Sequence, residues 1–291
     1  MKIKSFILGI SILSLATSCE KKMDKIFDEN PTDRLNMTVE KVYSTLQANT
    51  SSWLMEYYPS NALEFGGYTL FVKFQNSTNV VFEGDFTTKE ATTSTYTVVP
   101  GAGPILTFDT YNPIFHFFAL PQYYNKNSAY QLPGFINTTA GIGASNEGMK
   151  GENDFLVLKA SADSVILEGR KSYNIAVLTA VNASEIAAYK AAVTKFFPLG
   201  GYSFEVGGET IAATFANSLT KRALRATITS ETTSTTTTFS YRFTPNGLSF
   251  YKEYEIGGVK FKTLKYVEPT GAYIKGYFTN NEGTIKLVPS T

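Results

Sequence analysis

From Gly66 onward the chain is a succession of short runs rich in Val, Ile, Phe, Tyr and Thr, cut by turn residues. The first runs span 67–74, 79–86, 93–99, 104–111, 154–161, 164–171 and 174–181, with turns such as Asn76-Ser77-Thr78, Pro100-Gly101 and Ala162-Asp163 between them. Strands resume at Tyr202 and continue to the C-terminal TIKLVP. β-Branched and aromatic residues suit a pleated, half-buried surface, and closely spaced turns join neighbours in antiparallel order. A long meander of this kind manages its edges by curling or closing. In 248–256, Leu248, Phe250, Tyr254 and Ile256 share one face, as in a half-buried strand. In 259–267 the apolar phase shifts between Phe261 and Leu264, which predicts a bulge.

Two helical segments interrupt this pattern. Asn30 can cap, Pro31 suits the first helical position and Asp33 favours the positive end of the dipole. Leu35, Val39, Val42 and Leu46 then form one apolar stripe, so a helix over 31–47 is expected to cover a sheet. The second, Ala-rich helix spans about 183–197 and ends before Pro198. The halves look related. Each helix leads toward a Gly-Gly-Tyr, at 66–68 and 200–202, and the hairpin sequence 96–111 aligns with 241–254. Shared hairpin chemistry in any β protein is the alternative source of that likeness.

The fold class expected is therefore all-β with minor α. It comprises two duplicated antiparallel β-meander units, each a lipocalin-like barrel or curved sheet preceded by a helix. The boundaries expected are a leader over 1–18, a tether over 19–30, a first unit over 31–182 and a second over 183–291.

The leader fixes an address. Lys2 and Lys4 precede the apolar run 6–15, which is too short to span a bilayer and reads as a secretory signal. Small residues Ala16, Thr17 and Ser18 lead directly to Cys19, as in a lipobox, so Cys19 is expected to be the lipidated first residue of the mature protein. Acyl chains there would anchor the protein to a membrane without a transmembrane helix. Cys19 is the only Cys and His116 the only His, which excludes an intramolecular disulfide and a Cys/His zinc site. Neither a metal nor a cofactor is expected. A formal net charge of +1 argues against binding nucleic acid.

Candidate binding residues come from one asymmetry. A segment over 112–153 has no counterpart in the second unit, and loops of that length are often functional. It begins with Phe115, His116, Phe117, Phe118, Tyr123, Tyr124, Tyr130 and Phe135. Tyr rings with an apolar face and a polar tip suit sugars, peptides and protein partners. Trp53, in SSWLMEYYPS, is a further candidate, with a core contact as the competing role. His116 among phenylalanines reads more readily as a packed core residue than as a base. Catalytic residues are not expected: there is no Gly-x-Ser-x-Gly elbow. A carboxylate-dependent hydrolase stays open as an alternative, with Glu83, Asp85 and Asp109 as its candidates and the 112–153 loop as lid. A purely structural envelope protein is the third possibility.

The lipobox, IFDENPTDRLN, WLMEYYP, GGYTLFVKF and STYTVVPGAGPILTFDTYN together resemble the Bacteroidetes outer-membrane lipoproteins of domain-of-unknown-function 4302. The resemblance implies an accessory lipoprotein near SusC/SusD-like importers, which capture glycans or peptides. It carries over no catalytic residues.

Overall fold

The computed structural model describes residues 29–87, 90–121, 142–144, 146–196, 201–229 and 233–290. The leader, Cys19, most of the tether, Tyr123, Tyr124, Tyr130 and Phe135 lie outside them.

Helix α1 (Pro31–Ala48) begins where the capping residues place it, with the Asp33 N–H donating to Asn30 Oδ1 at 2.9 Å. It is followed by β1 (Ser52–Tyr57), β2 (Tyr68–Phe74), β3 (Asn79–Gly84), β4 (Thr92–Pro100), β5 (Pro104–Phe108), β6 (Asp154–Ala160), β7 (Ser164–Gly169) and β8 (Ile175–Val181). Each strand pairs antiparallel with the next, and β1 pairs with β8, so the meander closes into an eight-stranded barrel. Helix α2 (Ala183–Val193) then starts from a capping box between Asn182 and Glu185.

A second closed barrel follows, made of β9 (Tyr202–Val206), β10 (Glu209–Phe215), β11 (Ala223–Thr229), β12 (Ser234–Thr244), β13 (Gly247–Ile256), β14 (Val259–Val267), β15 (Tyr277–Thr279) and β16 (Ile285–Pro289). Both units are thus barrels of the same up-and-down topology. The aligned hairpins 96–111 and 241–254 are β4–β5 and β12–β13, the fourth and fifth strands of their barrels. The Gly-Gly-Tyr match is displaced: in the first unit it precedes the second strand, β2, and in the second it precedes the first strand, β9. The strand that creates the offset is β1, the SSWLMEYYPS stretch. The bulge expected near Phe261 falls at the β13–β14 pair, with the surplus residues on β13, between Ser249 and Tyr254.

An eight-stranded barrel is just wide enough for side chains to fill. Barrel 1 is filled by Trp53, Met55, Tyr57, Tyr68, Leu70 and Phe82, among others, and barrel 2 by Phe204, Phe239, Phe250, Phe261 and Leu287. Helix α1 packs at the end of barrel 1 where β1 starts. There the Trp53 indole N–H donates to Leu46 O at 3.0 Å, and the Tyr43 hydroxyl accepts from the Val98 N–H at 2.7 Å. Phe196, just beyond α2, packs on Tyr266 and Phe278 at 5.0 and 5.7 Å in barrel 2.

The barrels are joined by a buried polar junction. Asp85, just after β3, and Arg222, just before β11, each have 1% side-chain exposure. Arg222 Nη1 donates to both Asp85 carboxylate oxygens at 3.0 Å and to Gly67 O at 3.1 Å. Its guanidinium lies 4.5 Å from the Tyr68 ring centre and 5.0 Å from that of Phe243. From α2, the Tyr189 hydroxyl donates to Asp85 Oδ2 at 2.8 Å, and its ring meets Phe71 of the outer wall of barrel 1. Gly67 N–H donates to Tyr241 O at 2.9 Å, a direct backbone bond from barrel to barrel. That approach explains Gly66: its φ is +75°, and a Cβ there would lie 2.2 Å from Arg222 O.

Burial raises the phenol pKa of Tyr57, Tyr58, Tyr68, Tyr189 and Tyr241 above the ordinary value of 10. The unfolded chain releases these protons first. Stability is therefore complete below about pH 10 and falls as pH climbs toward the raised folded values, by about 1.4 kcal/mol per pH unit for each such group. The expected result is a steep drop in urea midpoint above about pH 10, with the tyrosinate absorbance of these buried phenols appearing together with unfolding. Tyrosinate absorbance developing fully in the folded protein near pH 10 would contradict it.

Candidate functional site

The aromatic segment after β5 is built on Asn112, which is fully buried. Its Oδ1 accepts from the N–H groups of Ile114 and Phe115 at 3.0 and 3.1 Å and from the Thr92 hydroxyl at 2.9 Å. Its Nδ2 donates to Thr92 O at 3.1 Å. Asn-Pro is a turn-initiating pair, and here the carboxamide turns the chain back into the barrel mouth. A 3-10 turn, His116–Ala119, follows.

That turn drives phenylalanines into barrel 1 from the end opposite α1. Phe115 stacks on Phe82 at 4.8 Å and meets Phe108 edge-on at 4.6 Å. Phe117 stacks on Phe86 at 5.3 Å. Phe118 lies 5.0, 4.7 and 4.9 Å from Tyr57, Tyr68 and Phe86. All three are essentially inaccessible, as is Trp53. The structure thus places Phe115, Phe117, Phe118 and Trp53 in the core, where their rings plug the barrel and present no face to a ligand. The returning chain is fastened to the plug, since Met149 and Gly151 N–H donate to Phe118 O at 2.9 and 3.0 Å.

His116 is half-buried at the rim. Its Nδ1 accepts the Asn112 N–H at 2.8 Å, and its ring stacks on the exposed Tyr111 at 5.7 Å. Burial lowers its pKa below the ordinary imidazole value, against bonds to the Asn112 and Phe108 backbone that raise it. It is a neutral imidazole at pH 7 whose Nδ1 is committed to the turn, a packing role that fits its neighbours. Beside the rim is a polar cleft of about 430 Å³ lined by Asn146, Glu147, Asp154, Arg170 and Lys171.

The three candidate carboxylates have different partners. Asp85 is held in the junction by Arg222 and Tyr189, Glu83 pairs with Lys190 of α2, and Asp109 accepts from the Thr97 hydroxyl at 3.2 Å on the surface. Among the described residues, no group of three or more His, Cys, Asp or Glu could hold a metal ion. Sequence reasoning missed Arg222, Tyr189 and Asn112. Only Asn112, through Asn-Pro, carried a readable signal.

No curated protein and no solved structure matches the chain. A family model described as a domain of unknown function, DUF4302, matches residues 23–268. Covering most of the sequence, that match shows that the chain belongs to the DUF4302 family.

Proposed function

We propose that this protein is a non-catalytic, lipid-anchored accessory protein of a bacterial outer membrane. It binds a glycan, a peptide or a SusC/SusD-like importer subunit through the segment between Pro121 and Ile142. The observation that carries the reading is that both barrels are filled by their own side chains, so recognition falls to their outside. The base of the segment, Leu120 on one side and Ile142 with Met149 on the other, is packed into the core of barrel 1. Tyr123, Tyr124 and Tyr130 lie between those anchors in sequence.

The barrel walls support an anchored rather than an inserted protein. On β13 and β14, Phe250, Tyr254 and Phe261 are buried in the core of barrel 2, while Lys252, Glu253, Glu255, Lys260, Lys262 and Lys265 are exposed. A membrane-spanning barrel has the opposite polarity. Among the described residues no helix is long and apolar enough to cross a membrane. Lipid on Cys19 would supply the attachment.

Two variants test the reading. Cys19→Ser should lose acyl labelling and leave the membrane fraction. The triple variant Tyr123→Ser, Tyr124→Ser, Tyr130→Ser should keep the wild-type melting temperature and lose its bound partner in a cross-linking pull-down from native membranes. Unchanged partitioning of the first and unchanged capture by the second would refute the proposal.

A further inference from the structure

The ladder between β10 and β11 stops early. It pairs Ala213 with Ala226, Thr214 with Arg225 and Phe215 with Leu224, and goes no further. Continuing the register would set Ala212 opposite Thr227, Ile211 opposite Ile228 and Thr210 opposite Thr229. These pairs do not form. Each strand keeps its other neighbour over the same stretch: β10 pairs with β9 through Glu209, and β11 pairs with β12 through Thr229. The wall of barrel 2 therefore splays into a wedge with two one-sided strand edges. A cleft of about 610 Å³ occupies it, lined by residues of both strands.

We propose that this wedge is a docking slot for an extended peptide, which adds to the free edge as a further strand. An unpaired strand edge presents alternating N–H and C=O groups that template such addition. Side chains of an added strand alternate between two faces. On the inner face, Ile211 and Ile228 are half-buried against the barrel core and would take apolar side chains. On the outer face stands Arg225, exposed and, among the described residues, without an ion-pair partner, beside a row of threonine hydroxyls. Charge complementarity selects an acidic side chain there. The occupant is accordingly an extended segment of another protein with alternating apolar and polar residues and an acidic residue on its outer face at the closed end of the wedge, beside Arg225. The slot lies on barrel 2, and the proposal does not depend on the aromatic segment of barrel 1.

The probe is a short, end-capped, fluorescent peptide alternating valine with threonine and carrying one aspartate, read by anisotropy with the full mature chain. Binding is expected to vanish when alternate peptide nitrogens are N-methylated, because the edge bonds are then lost. Arg225→Glu, an exposed change, should weaken the aspartate peptide about fivefold and strengthen a lysine analogue by a similar factor. No binding of the parent peptide, or equal binding of the methylated one, overturns the proposal. So does concentration-dependent dimerisation in sedimentation that the peptide fails to compete, which would give the slot to a second copy. Loss of partner capture by the tyrosine variant leaves this result untouched, so the two readings fail separately.

Discussion

Asp85→Ala is expected to remove about 3–5 kcal/mol of stability, because it leaves the Arg222 guanidinium buried without its counter-charge. Arg222 is 1% exposed, and its guanidinium bonds Asp85 and Gly67 O and lies against the Tyr68 and Phe243 rings. Burial alone would pull its pKa down, but Asp85 with the Tyr68 and Tyr189 phenols outweighs burial and the net direction is up. The ion is thus held charged by its neighbours. A domain's whole margin is about 5–15 kcal/mol, so the loss is a large part of it.

The double replacement Asp85→Leu with Arg222→Met removes both charges and should recover most of the loss, as buried pairs exchanged for apolar residues do. Trp53, the only tryptophan, reports barrel 1 by fluorescence, while far-UV circular dichroism reports both barrels. In the parent the two urea transitions should coincide. In Asp85→Ala the junction that couples the barrels is broken and they should separate. A midpoint unchanged in Asp85→Ala, equivalent to less than about 1 kcal/mol, would show that the junction contributes little.

The barrel architecture was readable because closure is a property of pattern. Alternating inward Phe, Tyr and Leu with outward Lys, Glu and Thr tells each strand which face is which, and short turns fix the order. Strand β1 was harder. Trp53, Met55 and Tyr57 do alternate, but the run is followed by Tyr58, Pro59 and a loop, with no tight turn to mark a hairpin. The junction could not be read at all. Asp85 and Arg222 are 137 residues apart, and a charged residue at a strand end looks the same whether it meets water or another barrel. The same limit governed the aromatic segment. Its composition shows that it must bury apolar area, but not whether that area belongs to a partner or to the chain's own core.

The plug decides that last question by experiment. Phe118→Ala should cost about 3–5 kcal/mol, since it empties a fully buried site among Tyr57, Tyr68 and Phe86. His116→Ala, four residues after Asn112 at the rim, should cost about 1 kcal/mol, the worth of the bond its Nδ1 accepts. The ordering separates two roles for one sequence. If these aromatics served a ligand, Phe118→Ala would abolish binding and leave the urea midpoint in place. If they plug the barrel, it lowers the Trp53 midpoint sharply, and deletion of 113–121 leaves barrel 1 unfolded. Removal of a contact surface must therefore spare 113–121 and act beyond Pro121. A Phe118→Ala protein as stable as the parent would return the phenylalanines to the binding surface and refute their assignment to the core.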